Sequence, residues 1–494
     1  MKKDILYTLF MIMIGGFSFS CNDWLDVDSD ARVVQEDLFS TGDGFRTALN
    51  GIYRLLGSKE LYAKELTWGL TSVLGQNYEI SRMPYVYQYL EESYEYDESL
   101  IIINSIWNKG FRVIANCNNL IQEAEKQDTS LFELGKMEKD LIIGEARGIR
   151  AMVHLDLLRL FAPAPIVDDG KLYMPYISRY PEYQPQYLSV SAVLDSVVFD
   201  LKRAQQMLVF HDTLLNVSSI ASVSGRMHPD LAFNSKEGLF FACRGTRMNY
   251  FAASALLARV YLYKNDKKNA YDNAEAVYQF ASRRKWFTFT SSSNMAPPDN
   301  NSIYRKMYDD IIFAAVNNDL YDLWTTSFQT GEGFFLKNVD EIFGSDLDDF
   351  RKIKLIEVDG SPRRWLMPTG NQNNYPTLEI IKYQGPLAPI IRLSEVVYIM
   401  CECLAETDLS KAIELLEWVR IARGAKTPLD KGMNKTEFLE RLYNEIIRES
   451  MSEGQSFFMH KRLNRLMYNG EFPVDMTERW ILPIPYDESA YMNL

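Results

Sequence analysis

The sequence predicts a mainly α-helical protein in which helix pairs support a loop-rich part with a few short strands. Apolar residues recur at helical spacing in several long segments, and two of these segments share one helix-turn-helix pattern. No proline-rich or Gly/Ser-rich linker divides the 494-residue chain, which favours a single interwoven body. Gly, Pro, Asn and aromatic residues are concentrated between the helical segments, a composition typical of loops.

Helical periodicity is clearest in five stretches. We expect the scaffold to occupy residues 40–60, 101–161, 189–210, 247–282 and 392–465. Within 101–161, apolar residues such as Ile102, Ile106 and Leu157 predict two long helices packed as an antiparallel pair. Ser189 or Ser191 is expected to cap the helix that follows, because a serine side chain accepts a hydrogen bond from the first free backbone N–H groups.

Two segments resemble each other. Leu256–Phe280 and Tyr398–Arg420 each run from a helix through a polar turn with an Asp into a second helix, and Ala270 aligns with Ala412. Small residues at these positions let two helices approach closely, as in tetratricopeptide-like hairpins. We interpret both as helix pairs within a larger fold rather than as a tandem array. Two unrelated amphipathic hairpins are the alternative.

The loop-rich part is predicted at about residues 62–100 and 284–390. A few strands are expected there, from short alternating runs such as KIKLIEV at Lys352–Val358.

The amino terminus has the pattern of a secretory signal. Lys2 and Lys3 precede an apolar run, Ile5–Ser20, that is too short for a comfortable membrane span. Cys21 follows directly, so residues 1–20 are predicted to be a lipoprotein signal peptide and Cys21 the lipidated first residue of a mature body, 21–494. A plain signal peptide with an incidental cysteine is the alternative.

Charge and cysteine content exclude some classes of function. Lys and Arg number 53 against 66 Asp and Glu, a net charge of −13 that opposes nucleic-acid binding, which needs a basic face. The remaining cysteines, Cys117, Cys243, Cys401 and Cys403, suggest no disulfide framework. Cys401 and Cys403 lie two residues apart in an apolar helical segment and are expected to be buried free thiols.

Catalytic and metal-binding signatures are missing from the sequence. The histidines have no ligand spacing, and no nucleophile elbow or phosphate-binding loop occurs, so no catalytic residue and no metal site is predicted. His154 lies in an apolar helical segment and is expected to be packed against satisfied partners.

Glu445, Glu449 and Glu453 form the most enzyme-like pattern, since their spacing of four stacks three carboxylates on one helix face. Glycosidase carboxyls face a substrate from opposing walls, about 5 to 9.5 Å apart, which one helix does not provide. Arg441 and Arg448 lie close enough in sequence to neutralise the carboxylates. A structural charge network is therefore the favoured interpretation, and the protein is predicted not to be an enzyme.

Aromatic side chains with neighbouring amides are the candidates for ligand binding. The predicted binding residues are Trp68, Asn77, Tyr78, Tyr85, Tyr87, Tyr89, Tyr321 and Trp324. If residues 85–89 are extended, their period of two places three phenols on one face. Such a platform suits the apolar faces and polar rim of a sugar ring. The alternative is that these rings pack over the helices with their hydroxyls at the surface.

Several segments, in order along the chain, resemble the SusD/RagB family of outer-membrane nutrient-uptake lipoproteins of the Bacteroidetes. CNDWLDV at Cys21 resembles the family's lipidated start, and GEARGIRAMVHLDLLRLFAPAPI resembles its Glu-x-x-x-x-Arg-Ala helix and Phe-Gly-x-x-Pro turn, with Ala162 in place of the glycine. RLYNEIIRESMSEGQSFFMHKRLN resembles its Glu-Gly-Gln stretch, although Ile446, Ser456 and Phe457 replace an arginine, a second arginine and a tryptophan. AIELLEWVRIARGA and ILPIPYDESAYMN match further segments.

The resemblance implies a SusD-like fold in which tetratricopeptide-like helix pairs support the loop-rich part, 62–100 and 284–390, as the ligand-binding part. It also implies a surface-exposed, lipid-anchored protein of the cell outer membrane. Such a protein binds an extracellular nutrient, foremost an oligosaccharide or polysaccharide, and delivers it to a partner SusC-like TonB-dependent transporter. A peptide- or protein-binding surface lipoprotein is the first alternative, and a surface glycoside hydrolase the second. No cofactor is expected, and a structural calcium ion is left open. Family binding residues lie in variable loops, so none is carried over to this chain.

Overall fold

The computed structural model describes residues 35–228, 238–298, 303–328, 332–356, 363–364, 386–468 and 472–488. The predicted signal peptide 1–20 and Cys21 lie outside these residues.

Helices form most of the described chain. The first nine are α1 (Gly42–Leu56), α2 (Leu70–Leu74), α3 (Tyr85–Glu92), α4 (Asp97–Lys126), α5 (Lys136–Phe161), α6 (Val190–Phe210), α7 (Ser218–Ala221), α8 (Val223–Met227) and α9 (Tyr250–Tyr263). They are followed by α10 (Lys267–Ser282), α11 (Ser292–Met295), α12 (Leu320–Thr325), α13 (Val339–Phe343), α14 (Phe350–Leu355), α15 (Leu393–Leu404), α16 (Leu409–Ala422), α17 (Lys435–Ser450) and α18 (Gln455–Leu463).

The strands are short and pair in antiparallel twos. They are β1 (Leu172–Pro175) with β2 (Tyr187–Ser189), β3 (Ile311–Val316) with β6 (Leu387–Arg392), β4 (Phe335–Leu336) with β5 (Arg363–Arg364), and β7 (Met467–Tyr468) with β8 (Pro473–Val474). The mainly α-helical fold class predicted from the sequence is confirmed.

The long helices pack as consecutive neighbours. Helices α4 and α5 form the predicted pair, and α5 also packs on α6, so its side chains are buried almost all round. Ile102 and Ile106 lie on the buried face of α4, as their spacing predicts. Ser189 caps α6, because its side chain accepts a hydrogen bond from the backbone N–H of Ala192.

The two similar segments are both helix pairs and lie side by side. Helix α9 packs on α10, α15 packs on α16, and α10 packs on α15. Asp266 caps α10 and Asp408 caps α16 with the same kind of hydrogen bond, from the backbone N–H three residues later. Ala270 and Ala412 are fully buried. The interpretation as helix pairs within a larger fold is confirmed.

The ladder of β3 and β6 joins the loop-rich part to these helices. All six residues of β6 are buried, and the strand continues directly into α15. Strands in residues 284–390 are thus confirmed, but the strand suggested by KIKLIEV is wrong for Lys352–Leu355, which are helical, and Glu357 and Val358 lie outside the described residues. Residues Phe350–Leu355 form α14, because the Asp349 side chain caps the backbone N–H of Arg351 and binds its guanidinium as well. In the part of the chain that the structure describes, no helix has the length and apolarity to cross a bilayer.

Candidate functional site

The tyrosines at 85, 87 and 89 do not form one extended row. They lie in α3, so the predicted period of two is wrong. A helix turns by about 100° per residue, which places Tyr85 and Tyr89 near one face and Tyr87 on the other. Tyr85 is 67% exposed, whereas Tyr87 is 2% exposed and packs inward with Leu90. The helix forms because burying Tyr87 and Leu90, three residues apart, gives it an apolar face.

Four of the predicted binding residues belong to a buried group that we call the inner aromatic cluster. Its rings are those of Trp68, Tyr78, Tyr87, Trp324 and Phe334. Phe334 is central, with edge-on contacts at centroid distances of 5.1 Å to Trp68, 5.2 Å to Tyr78 and 5.0 Å to Tyr87. Trp324 completes it at 5.1 Å from Trp68. These geometries are favourable for ring pairs. Because every ring is also at most 2% exposed, the cluster is packed core and not an open platform.

The polar side-chain atoms of Trp68, Tyr78 and Tyr87 are satisfied within the protein. Tyr87 donates a 2.7 Å hydrogen bond to Glu65, and the Trp68 indole N–H donates to the carbonyl of Ala63 at 2.8 Å. Lys64 lies 5.3 Å from the centroid of the Trp68 ring, within the range of a cation–π contact. Burial lowers the pKa of Lys64 and raises that of Glu65. The cluster is therefore part of the packed core beneath α3.

Asn77 is also buried. Its Oδ1 accepts a 3.3 Å hydrogen bond from Ser456 Oγ, and its backbone carbonyl accepts one of 3.1 Å from the N–H of Lys337. The neighbouring Tyr78 donates to the carbonyl of Trp68 at 2.9 Å. Through the Lys337 bond, Asn77 links residues 76–79 to the chain next to β4. Asn77 is 5% exposed, so it is not available to a ligand at the surface.

Other aromatic side chains reach solvent, Tyr85 and Tyr89 on the opposite face of α3 and Tyr96 just before α4. We call Arg82, Tyr85, Tyr89 and Tyr96 the outer aromatic face. The rings of Tyr89 and Tyr96 lie 5.2 Å apart, and the Arg82 guanidinium lies 5.5 Å from the ring centroid of Phe335. Partly exposed rings and a guanidinium in one stretch of chain offer stacking and hydrogen bonding to a polyhydroxy ligand.

Carboxylates border this outer face. Glu92 accepts a 3.1 Å hydrogen bond from the Tyr96 hydroxyl, and Glu79 pairs with Arg82 at 3.3 Å. The selection of binding residues from the sequence omitted Arg82 and Tyr96. Helical spacing would not have grouped them, because Arg82 ends a separate short turn, Ile80–Arg82, before Pro84, and Tyr96 lies between α3 and α4. Tyr321, on α12, is half-buried one helical turn from the buried Trp324.

The three carboxylates of α17 and its C-terminal turn are held by arginines. Arg351 contacts Glu445 at 2.7 Å and Glu449 at 2.8 Å, and Arg392 contacts Glu453 at 2.6 Å. Arg448 lies 2.8 Å from Glu445, as expected. The interpretation as a structural charge network is confirmed.

One partner differs from the prediction. Arg441 contacts Asp346 at 2.7 Å instead of neutralising the α17 carboxylates. Burial raises the pKa of Glu445, but Arg351 and Arg448 outweigh burial and hold that pKa below its usual value. The pKa of Glu449 is lowered for the same reason, against the effect of burial, chiefly by Arg423 and then Arg351. Both carboxyls are thus kept ionised.

His154 and the cysteines have structural surroundings. The backbone N–H of Ile177 donates to His154 Nε2 at 3.0 Å, and burial lowers the pKa of His154 to about 3. This confirms a packed, satisfied histidine. Cys117 and Cys403 are buried thiols, and desolvation raises the pKa of each to about 12. Among the described residues, no group of three or more His, Cys, Asp or Glu side chains is arranged to hold a metal ion.

Comparison with known proteins shows a sequence match over part of the chain and structural matches over nearly all of it. No protein-family model matches the chain. SusD-like protein P25 from Formosa agariphila is 24% identical over 216 residues, which is 41% of this chain and 37% of that protein. The chain thus aligns with little more than a third of this curated relative.

Solved structures are similar over nearly the whole chain. A SusD superfamily protein from Bacteroides thetaiotaomicron is 20% identical with a TM-score of 0.63, covering 91% of this chain and 98% of that one. A SusD-like carbohydrate binding protein from Bacteroides vulgatus is 15% identical with a TM-score of 0.65, covering 91% and 96%. A SusD superfamily protein from Bacteroides vulgatus is 18% identical with a TM-score of 0.66, covering 92% and 97%. At these identities, the likeness establishes the fold.

Proposed function

Because this chain has the fold of the SusD superfamily, as its ordered motifs predicted, we propose that it binds an extracellular oligosaccharide or polysaccharide for uptake. The observation that carries this proposal is the likeness, over 91% of the chain, to a Bacteroides vulgatus protein described as a SusD-like carbohydrate binding protein. The outer aromatic face supplies suitable chemistry in the present chain. Tyr85 presents an exposed ring, and Arg82 and Glu92, at the two ends of the same stretch of chain, offer donors and acceptors for sugar hydroxyls.

The proposal includes attachment to the outer membrane and a transporter partner. Cys21 would carry the lipid after removal of residues 1–20, so that the body is anchored at the cell surface without a spanning helix. The captured glycan would then pass to a SusC-like TonB-dependent transporter. Labelling with a radioactive fatty acid tests the anchor, and Cys21→Ala is expected to abolish the label and release the protein from membranes. A labelled Cys21→Ala protein would contradict it.

Binding without turnover is part of the same proposal. A glycosidase general acid must carry a proton at working pH, which requires a raised pKa. Glu445 and Glu449 have lowered pKa values and are bound by arginines, so neither is suited to that role. We therefore expect glycans to be recovered unchanged after incubation with the protein.

Calorimetric titration of purified residues 22–494 against plant, host and microbial glycans and a peptide digest tests the function. We expect saturable glycan binding, weakened by about 1 to 3 kcal/mol in Tyr85→Ala or Tyr89→Ala. Tyr183→Ala is the matched control, because Tyr183 is 85% exposed and lies outside the outer aromatic face.

The outcomes separate the alternatives. Peptide binding without glycan binding would select a peptide-binding lipoprotein, and cleavage products in the same mixtures would select a hydrolase. Glycan binding that is equal in wild type, Tyr85→Ala and Tyr89→Ala would remove the outer aromatic face as the site while leaving the function in place.

A further inference from the structure

A cavity of about 110 Å³ lies inside the helical scaffold, away from the outer aromatic face. Its wall is built from α5, α9, β6, α15, α17 and α18, the elements that join the stacked helix pairs to the charge network. A single ordered water needs only about 10 to 15 Å³ of such space. The cavity is therefore large enough for a small molecule.

Five buried polar atoms in this wall have no hydrogen-bond partner within the described chain. They are Arg159 Nε, Arg259 Nη1, Ser394 Oγ and the hydroxyls of Tyr263 and Tyr398. Each of these residues is at most 7% exposed. Buried polar groups are almost always hydrogen-bonded, and five unmet groups around one space indicate a polar occupant. Two of the five are guanidinium N–H groups, which only donate, so the occupant must offer acceptors.

The other atoms of the two guanidiniums are already engaged. Arg259 is bound by Glu395 at 2.6 and 2.7 Å and donates to the carbonyl of Ile390 at 2.9 Å. Arg159 is paired with Asp156 and donates to Gln455 at 3.1 Å. Each positive charge is thus balanced by a carboxylate. The remaining N–H groups need a hydrogen-bond acceptor, but that acceptor need not be negatively charged.

The wall as a whole is balanced in charge. Four arginines and four glutamates line it. Besides the Arg259–Glu395 pair, Arg462 binds Glu402 at 2.6 Å and Arg392 binds Glu453 at 2.6 Å. An anion placed here would add a buried charge without a free partner, which is costly. A neutral molecule with several hydroxyls would accept from the guanidinium N–H groups and exchange hydrogen bonds with the tyrosine and serine hydroxyls.

We propose that this cavity is a second binding site, specific for a small neutral polyol of monosaccharide size or less. The site is independent of the outer aromatic face, because the two share no residue. Its recognition groups are the guanidinium N–H groups of Arg159 and Arg259 and the hydroxyls of Tyr263, Ser394 and Tyr398.

Titration calorimetry of residues 22–494 with glycerol, xylitol and glucose tests the proposal, with phosphate and acetate as anionic probes. We expect saturable binding of at least one polyol, weakened about three- to tenfold in Tyr398→Phe and in Ser394→Ala, each of which removes one hydrogen bond. Removing an unmet hydroxyl should leave the melting temperature unchanged or higher, so the variants are expected to fold.

Tyr261→Phe is the matched control, because Tyr261 is buried on α9, which also carries Arg259 and Tyr263, but does not line the cavity. Tyr85→Ala should also bind the polyol normally, which distinguishes this site from the glycan site. Three results would overturn the proposal. The first is no polyol binding, which would indicate a cavity filled by water only. The second is polyol binding that is equal in wild type, Tyr398→Phe and Ser394→Ala. The third is preferential binding of phosphate or acetate.

Discussion

Arg351 is the side chain on which the charge network most depends. Its guanidinium is fully buried and contacts three carboxylates, Asp349 at 2.6 Å, Glu445 at 2.7 Å and Glu449 at 2.8 Å. Arg351→Met keeps a side chain of similar length but leaves buried carboxylates short of a partner. Breaking a buried ion pair from one side costs about 3 to 5 kcal/mol. Unfolding entropy near Tm is about 2 cal/mol/K per residue, or about 1 kcal/mol/K for this chain, so Tm should fall by about 3 to 5 °C.

Differential scanning calorimetry and urea unfolding of residues 22–494 measure this loss. Arg465→Met is the control, because Arg465 also pairs with a carboxylate, Glu440, but at the surface, where its side chain is 34% exposed. Surface pairs contribute about 0 to 1 kcal/mol, so its Tm should stay within about 1 °C of wild type. If Arg351→Met unfolds at the wild-type temperature, the network does not stabilise the fold and the reasoning is refuted.

Two further predictions follow from burial and from charge. Trp68→Ala should lower the free energy of unfolding by about 3 to 5 kcal/mol, because Trp68 is 1% exposed. Tyr85→Ala, at an exposed position, should change it by at most about 0.5 kcal/mol. Equal urea midpoints for the two variants would contradict the assignment of Trp68 to a packed core. Because the folded-state pKa of Glu445 is below 4.5, its stabilising contribution is fully present above about pH 4.5 and is lost as the pH falls through that lowered pKa. Urea unfolding from pH 7 to pH 3 should show this loss as a fall in the free energy of unfolding with pH. The fall should be shallower in Arg351→Met than in wild type, and equal pH dependence in the two proteins would contradict the prediction.

The helical scaffold was predictable because its signals are local. Spacing of apolar residues gives the buried face of α4, and Asp266 and Asp408 cap their helices from positions that the sequence shows directly. The carboxylate spacing in α17 was equally local. Its arginine partners were not, since Arg351 and Arg392 reach Glu449 and Glu453 from segments far away in sequence.

The candidate site was less predictable for the same reason. Tyr85 and Tyr87 are alike in sequence, but one is exposed and the other buried. The difference depends on Phe334, which lies about 250 residues later and packs against Tyr87 at 5.0 Å. An aromatic surplus therefore indicates rings that need partners, and only the tertiary structure decides whether the partner is the core or a ligand.

The turn between α17 and α18 connects the charge network to the floor of the candidate site. Ser452 lies 3.1 Å from the Tyr78 hydroxyl, and Ser456 donates to Asn77 at 3.3 Å. Gly454 has a φ of 76°, and a Cβ there would lie 2.3 Å from Thr71 Oγ1, so only glycine allows this close approach. The segment that carries Glu449 and Glu453 thus also contacts the inner aromatic cluster, through the Ser452–Tyr78 hydrogen bond. Because that cluster in turn supports α3, the outer aromatic face is presented on a rigid base, and its exposed side chains can be exchanged without disturbing the core.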